Sequence, residues 1–165
     1  MTVEMEFVLR AVTIGVGATL VMDFWALGQK SFFNIPSLNY AMVGRWLGNM
    51  ARGNFAHANI GAARPVAGEA VIGWSAHYII GVVFAAVLLR LAGIDWALEP
   101  SFLPAFGFGL VTVVMPFFVM QPAFGFGIAA SKTPAPNTAR LRSLIAHGSF
   151  GLGLYLAALL ASIVL

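Results

Sequence analysis

The chain has 165 residues, of which 60% are apolar and only 9% charged, and its mean hydropathy is +0.90. A soluble domain carries about 25% charged residues, so this composition excludes a water-covered globule and leaves an integral membrane protein. With no cysteine, thiolate catalysis, disulfides and Cys-ligated zinc or iron–sulfur centres are excluded as well. The formal net charge is +3, and its placement carries more information than its size.

A bilayer core about 30 Å thick is crossed by about 20 apolar residues in a helix. The first stretch of that length runs from about residue 7 to 28 and contains Asp23. It follows Glu4 and Glu6, where a cleavable signal would be basic, so it is expected to stay in the membrane. The next element is the loop 30–70, too long for a simple hairpin. Within it Leu38, Met42, Val43, Trp46, Leu47 and Met50 recur at helical spacing, opposite Asn39, Arg45, Asn49 and Arg52. That pattern predicts a short amphipathic interfacial helix over about 38–50, capped by Ser37 after Pro36. It is read either as a contact for anionic lipid or a partner, or as a loop packed onto the bundle.

The second span is expected over about 71–93 and holds His77; the third over about 102–130, with Gln121-Pro122 inside it; the fourth over about 144–165, without a charge. Lipid offers no partners to free backbone groups, and period-2 alternation is missing, so helices are expected and a barrel is not. The fold class is therefore all-α, a four-helix transmembrane bundle forming a single membrane domain over 1–165. Between the last two spans, Pro134 and Pro136 predict a rigid turn, with Asn137 or Thr138 capping the fourth helix.

Basic residues in short loops mark the cytoplasmic side. Seven of the nine, Lys30, Arg45, Arg52, Arg64, Lys132, Arg140 and Arg142, lie in or beside the first and third loops. Both termini are therefore expected outside. Arg10, with Glu4 and Glu6, is assigned to the outward N-terminal tail, and Arg45, Arg52, Arg140 and Arg142 are candidate contacts for lipid headgroups or another anion.

Two pairs of segments resemble each other. Ala76-His77-x-x-x-Gly81 matches Ala146-His147-x-x-x-Gly151 at an offset of 70, and Gly15-x-Gly17 matches Gly107-x-Gly109 more loosely. Two tandem helical hairpins related by an axis along the membrane normal would produce this pattern.

Polar groups inside spans are costly and usually face a cavity or one another. Asp23, His77, Gln121 and His147 lie at similar depth, roughly 8–16 Å from the cytoplasmic ends at 1.5 Å per residue, and Asp23 with His77 is the expected charge-assisted pair. Such a layer serves four readings. It binds a small molecule or ion, with or without proton-coupled transport. It holds a divalent metal through Asp23, His77 and His147. His77 and His147 ligate a b-type haem. Or the polar groups only fix helix packing, as in an accessory subunit of a larger complex. A homodimer or larger membrane assembly is the expected setting for so thin a bundle.

No catalytic constellation emerges, so enzyme status stays open. The Arg142-to-His147 spacing is shared with membrane phosphatases of the acid-phosphatase type, but their Pro-Ser-Gly-His segment and downstream Asp are missing. Glycine pairs such as Gly125-x-Gly127 fall in membrane segments rather than a phosphate loop. No basic, aromatic-interleaved groove points to nucleic acid.

The segments Ile35-Pro36-Ser37-Leu38-Asn39, Gly44-Arg45-Trp46-Leu47-Gly48, Gly73-Trp74-Ser75-Ala76-His77-Tyr78, Met120-Gln121-Pro122-Ala123 and Arg140-Leu141-Arg142-Ser143-Leu144 together resemble an uncharacterised bacterial family of small membrane proteins, a domain of unknown function. The resemblance covers nearly the whole chain. It implies a four-span bacterial inner-membrane protein and transfers no substrate, cofactor or catalytic residue.

Overall fold

The computed structural model describes residues 2–165, and the described residues form helices, turns and loops with no strand. Four helices are long and apolar enough to cross a membrane: Val3–Phe33, Glu69–Ala92, Phe102–Ala123 and Pro136–Val164. The chain is an all-helical, multi-pass membrane protein.

Helix α1 (Val3–Phe33) starts at Thr2, whose hydroxyl accepts from the Met5 N–H at 3.3 Å. Glu4 and Glu6 in its first turn and Lys30 in its last complement the helix dipole. Asn34 ends it in the left-handed region at φ 53°, returning its N–H to the Gln29 and Lys30 carbonyls. Helix α2 (Tyr40–Met50) occupies the expected amphipathic segment, but its cap is Asn39, which accepts from Ala41 N–H at 3.0 Å, and not Ser37. Helix α3 is Glu69–Ala92, followed by the short α4 (Ile94–Leu98).

The third span is not one helix to residue 130. It divides into α5 (Phe102–Val111), a π-helical stretch at Pro116–Met120 and the single turn α6 (Gln121–Ala123). Pro116 has no N–H to donate to the preceding turn, and the ladder widens until Gln121 N–H reaches the Pro116 carbonyl. Beyond α6 the chain leaves the helix through Gly125 and Gly127 at φ 86° and 75°, then a 3-10 turn at Ile128–Ala130. Helix α7 (Pro136–Val164) begins eight residues earlier than the apolar run, with Pro136 in its first turn. There proline's fixed φ suits helix initiation. Neither Asn137 nor Thr138 is its cap; Asn137 instead accepts from Arg140.

By contacts the chain divides into two compact units. The first comprises the stretch ending at Ser37 with Tyr78–Thr112 and Ile145–Leu165. Its core is rich in small side chains, among them Ala11, Ala18, Ala85, Ala105, Ala158 and Ala161, around Ile14, Leu89 and Leu154. Small residues let backbones approach closely where lipid gives no hydrophobic drive between helices. A Cβ on Gly15 would meet Val82 backbone, and one on Gly109 would meet Gly151. Both close approaches thus fall at the glycine end of one of the two Ala-His-x-x-x-Gly segments. Phe84 meets Phe108 and Phe150 edge-on, with centroids 6.4 and 6.1 Å away.

The second unit comprises Leu38–His77 and Val113–Leu144. Its core is Val43, Ile60, Ala123 and Phe124, flanked by Tyr40, Trp46, Leu47 and Met120. Here α2 lies against the first turns of α3. Of the two readings given for the amphipathic helix, its packing onto protein is visible, since Val43, Gly44 and Asn49 are all buried. Large apolar side chains such as Phe24, Leu27, Ile79, Leu91, Leu103 and Phe118 point outward, as a lipid-facing surface requires.

Candidate functional site

Asp23, His77 and His147 are each engaged by a hydroxyl. In the first unit, Tyr78 OH donates to Asp23 Oδ2 at 2.9 Å. His147 Nδ1 meets Thr112 Oγ1 at 2.7 Å, and Thr112 also donates to the Gly109 carbonyl at 2.5 Å. A hydroxyl has one proton. With that proton on Gly109 O, Thr112 accepts from His147, which places a proton on Nδ1.

In the second unit, Tyr40 OH lies 3.0 Å from His77 Nε2, and the two rings stack with centroids 4.2 Å apart. Trp74 closes on the same group, 4.5 Å from Tyr40 and 5.8 Å from His77. The spacing of α2 and α3 that allows this is set one turn further on by Gly44 and Gly73. The tyrosines and Thr112 were not singled out from the sequence. Tyr40, one turn before Gly44 on the predicted helix, was the available signal for the first of them.

Gln121 is only 7% exposed. Its Nε2 donates to Ser143 Oγ at 3.3 Å, and Ser143 passes its own proton to the Ala139 carbonyl. Gln121 Oε1 has no partner, and among the described residues the other buried side-chain atom in that condition is His57 Nδ1. His57 belongs to the first loop and was not picked out from the sequence. Its backbone N–H donates to the Ala123 carbonyl at 2.8 Å, and Ile60 N–H donates to Phe124 O at 3.1 Å. The loop is thereby fastened to the residues that follow Gln121. Gly125 is required at this seam, because a Cβ there would meet the Ala58 and His57 carbonyls.

The basic candidates separate. Arg45 is engaged within the second unit instead of standing at the surface. It forms a bidentate pair with Glu69 at 2.7 and 2.9 Å and donates to the Ile60, Gly61 and Ala63 carbonyls. Its hydrogen bond to the Glu69 carboxylate holds its pKa above the ordinary arginine value. Arg140 fixes its own turn, donating to Ala129 O at 2.8 Å and Asn137 Oδ1 at 3.0 Å. Ala129 and Ala130, at φ 47° and 59°, hold left-handed conformations that alanine rarely adopts. Arg52 and Arg142 are exposed.

For a metal, no group of three His, Asp or Glu side chains suited to hold one occurs among the described residues. For a haem, an axial histidine offers a ring nitrogen to iron, and at His77 the Nε2 is engaged by Tyr40.

Residues 12–161 match the family model described as "Protein of unknown function (DUF2938)". The chain belongs to this family. No curated protein and no solved structure matches it.

The DUF2938 match takes in Asp23, His57, His77, Gln121 and His147, and leaves Arg10 outside. Arg10 is nonetheless buried, 3% exposed, and far from being part of a solvated tail. It pairs with Glu6 at 3.0 Å and lies 3.5 and 3.4 Å from the Ala97 and Ala161 carbonyls. The signal was present in the sequence as a basic residue four positions after Glu6, already inside the first apolar run.

Proposed function

We propose that this DUF2938 protein binds a small polar solute or ion at the polar side chains of its spans, Asp23, His77, Gln121 and His147, and passes it across the membrane. The observation that carries the reading is Gln121: a 7% exposed amide whose Oε1 lacks a donor, placed directly after a π-helical break in the third span. Leaving a buried acceptor unmade costs about 1–3 kcal/mol. Non-helical backbone at membrane depth is tolerated where it is buried in protein or lines a cavity, and broken helices hold the binding sites of many transporters. The orphaned acceptor and the broken span support the same reading independently. The metal and haem alternatives have less support, because His77 Nε2 already meets Tyr40.

The membrane is read as a bacterial inner membrane, with both termini on the outer side. Arg45, Arg52, Arg64, Lys132, Arg140 and Arg142 all fall in the second unit, whose one acid is Glu69, and this supports a cytoplasmic location for that unit.

The test is thermal unfolding of the purified chain in lipid nanodiscs with sodium, potassium, ammonium, manganese, zinc, glycerol or methylammonium added singly. At least one is expected to raise the midpoint, with the response lost in Gln121→Leu. No response to any of them, or a response that Gln121→Leu leaves intact, overturns the reading.

A further inference from the structure

The seam between the first loop and the broken third span holds two unmade hydrogen bonds. Gln121 Oε1 and His57 Nδ1 are both buried and both without a partner. They lie on strands of chain that are fastened together, since His57 N–H is bonded to Ala123 O, two residues beyond Gln121. The residues bonded along this seam are apolar and closed to solvent: Ile60 and Phe124 are fully buried, and Trp46 meets the Phe124 ring edge-on with centroids 5.7 Å apart. The loop conformation is anchored at several points besides the seam. Trp46 Nε1 donates to Phe55 O at 2.9 Å, and Asn59 Oδ1 accepts from Gly61 N–H at 2.8 Å. The backbone leading away from Gln121 is held at positive φ at Gly125, Gly127, Ala129 and Ala130, and such departures persist only where the surroundings over-determine them.

We propose that His57 and Gln121 are two walls of one binding site, and that its ligand is a small solute bearing N–H or O–H donors. The proposal rests on the reading of Gln121 given above and adds both a residue and a ligand class. The class follows from the donor inventory. An amide oxygen only accepts, so the occupant must donate to Gln121 Oε1. One proton of the amide's NH2 is already turned to Ser143, and the unmet atom is the acceptor oxygen, which an anion without protons cannot satisfy. His57 Nδ1 accepts in one neutral tautomer and donates in the other, so it takes either a second donor or an acceptor from the same molecule. An alcohol or an ammonium group meets both requirements.

The experiment uses the full chain, labelled with 15N-histidine, in lipid nanodiscs. Glycerol represents the hydroxyl class and methylammonium chloride the ammonium class. The His57 ring signal, assigned through its absence in His57→Asn, is expected to shift saturably with one of the two, and which one responds tells alcohol from ammonium. Gln121→Leu is expected to raise the half-saturation concentration at least about tenfold. By thermal shift, His57→Leu should lose the response and His57→Asn should keep it, because the Asn side chain places a polar atom near Nδ1. The double variant His57→Leu with Gln121→Leu should respond no more weakly than the worse single variant. Unfolding midpoints without solute show that each variant is folded. If neither solute saturates the His57 signal, water alone fills the seam and the proposal fails. If Gln121→Leu removes a thermal response that His57→Leu leaves intact, or the two losses add independently, the shared site fails while the Gln121 reading stands.

Discussion

Gly44 and Gly73 face each other across the crossing of α2 and α3, and each is filled by the other helix's backbone. A Cβ on Gly44 would run into the Glu69 carbonyl, and one on Gly73 into the Tyr40 carbonyl. Backbone cannot swing aside as a side-chain tip can, so the two helices would have to separate. That would pull Tyr40 away from His77 and Trp74. Gly44→Ala and Gly73→Ala are each expected to destabilise by about 1–3 kcal/mol or more, seen as lowered thermal midpoints in nanodiscs. Gly28→Ala and Gly107→Ala are the controls. Both positions are helical with open space beyond the missing Cβ, and alanine there should be neutral or stabilising by up to about 1 kcal/mol. Equal losses at all four positions would remove the close-crossing argument.

Arg45 ties α2 to α3 by a different means. Its guanidinium fork matches the Glu69 carboxylate while the third nitrogen collects carbonyls from 60–63. Both side chains are less than a fifth exposed, so the pair is worth more than a solvated ion pair. Arg45→Met is expected to cost about 2–3 kcal/mol, at the upper end for hydrogen bonds to charged groups, because it strands the carboxylate and the carbonyls together. Glu69→Gln keeps one acceptor, and Arg45→Lys keeps the charge without the fork, so both should fall between Arg45→Met and the parent. A Lys variant as stable as the parent would show that geometry contributes nothing here.

The four spans were legible because about 20 apolar residues have only one use in a bilayer, and α2 was legible from the recurrence of Leu38, Met42, Trp46 and Met50. The interruption of the third span was not. Pro116, Pro122, Gly125 and Gly127 were present as signals, but hydropathy averages over them and they were absorbed into one run. The caps differ for a related reason: Ser37 and Thr138 have the right chemistry, and only the path of the chain makes Asn39 the cap of α2 and starts α7 already at Pro136. At the candidate site, depth along each helix pointed to Asp23, His77, Gln121 and His147, while their partners Tyr78, Tyr40, Ser143 and Thr112 had no common spacing. Three of the four hydroxyls come from sequence-distant chain, at separations of 35 to 55 residues. No local period encodes such pairs.

The Thr112 hydroxyl fixes the tautomer of His147, and this is measurable. In the 15N-histidine spectrum of the folded chain, His147 should show a protonated Nδ1. Thr112→Val removes the acceptor and should shift that ring's signals while costing about 1 kcal/mol. A spectrum with the proton on Nε2 in the parent would mean that Thr112 donates to the imidazole and not to Gly109.

Haem binding by His77 and His147 predicts a Soret band in the detergent-purified protein that disappears in His77→Ala and in His147→Ala. The Tyr40 hydroxyl at His77 Nε2 opposes ligation there, so the expected spectrum has no such band. Tyr40→Phe removes that hydroxyl and serves as the stricter control, to be recorded after growth with added haem precursor. A band in the parent that both alanine variants abolish would restore the haem reading, and elemental analysis makes the same decision for a divalent metal.

Arg10 offers a last test, in the first unit. Its guanidinium reaches the Ala97 carbonyl in α4 and the Ala161 carbonyl near the end of α7, where the helix dipole favours a cation. Three helices are thus joined through one buried side chain on α1. The Glu6 partner is about one-third exposed, and an i,i+4 pair of that kind contributes only about 0.3–0.5 kcal/mol. Most of the effect should therefore come from the carbonyls. Arg10→Met is expected to lower stability by about 2 kcal/mol, Glu6→Gln by less than about 1 kcal/mol, and Arg10→Lys to lie between them, since a point ammonium cannot span both carbonyls in one geometry. Thermal midpoints of the three variants decide the order. If Glu6→Gln costs as much as Arg10→Met, the ion pair and not the carbonyl contacts holds α1 to its neighbours.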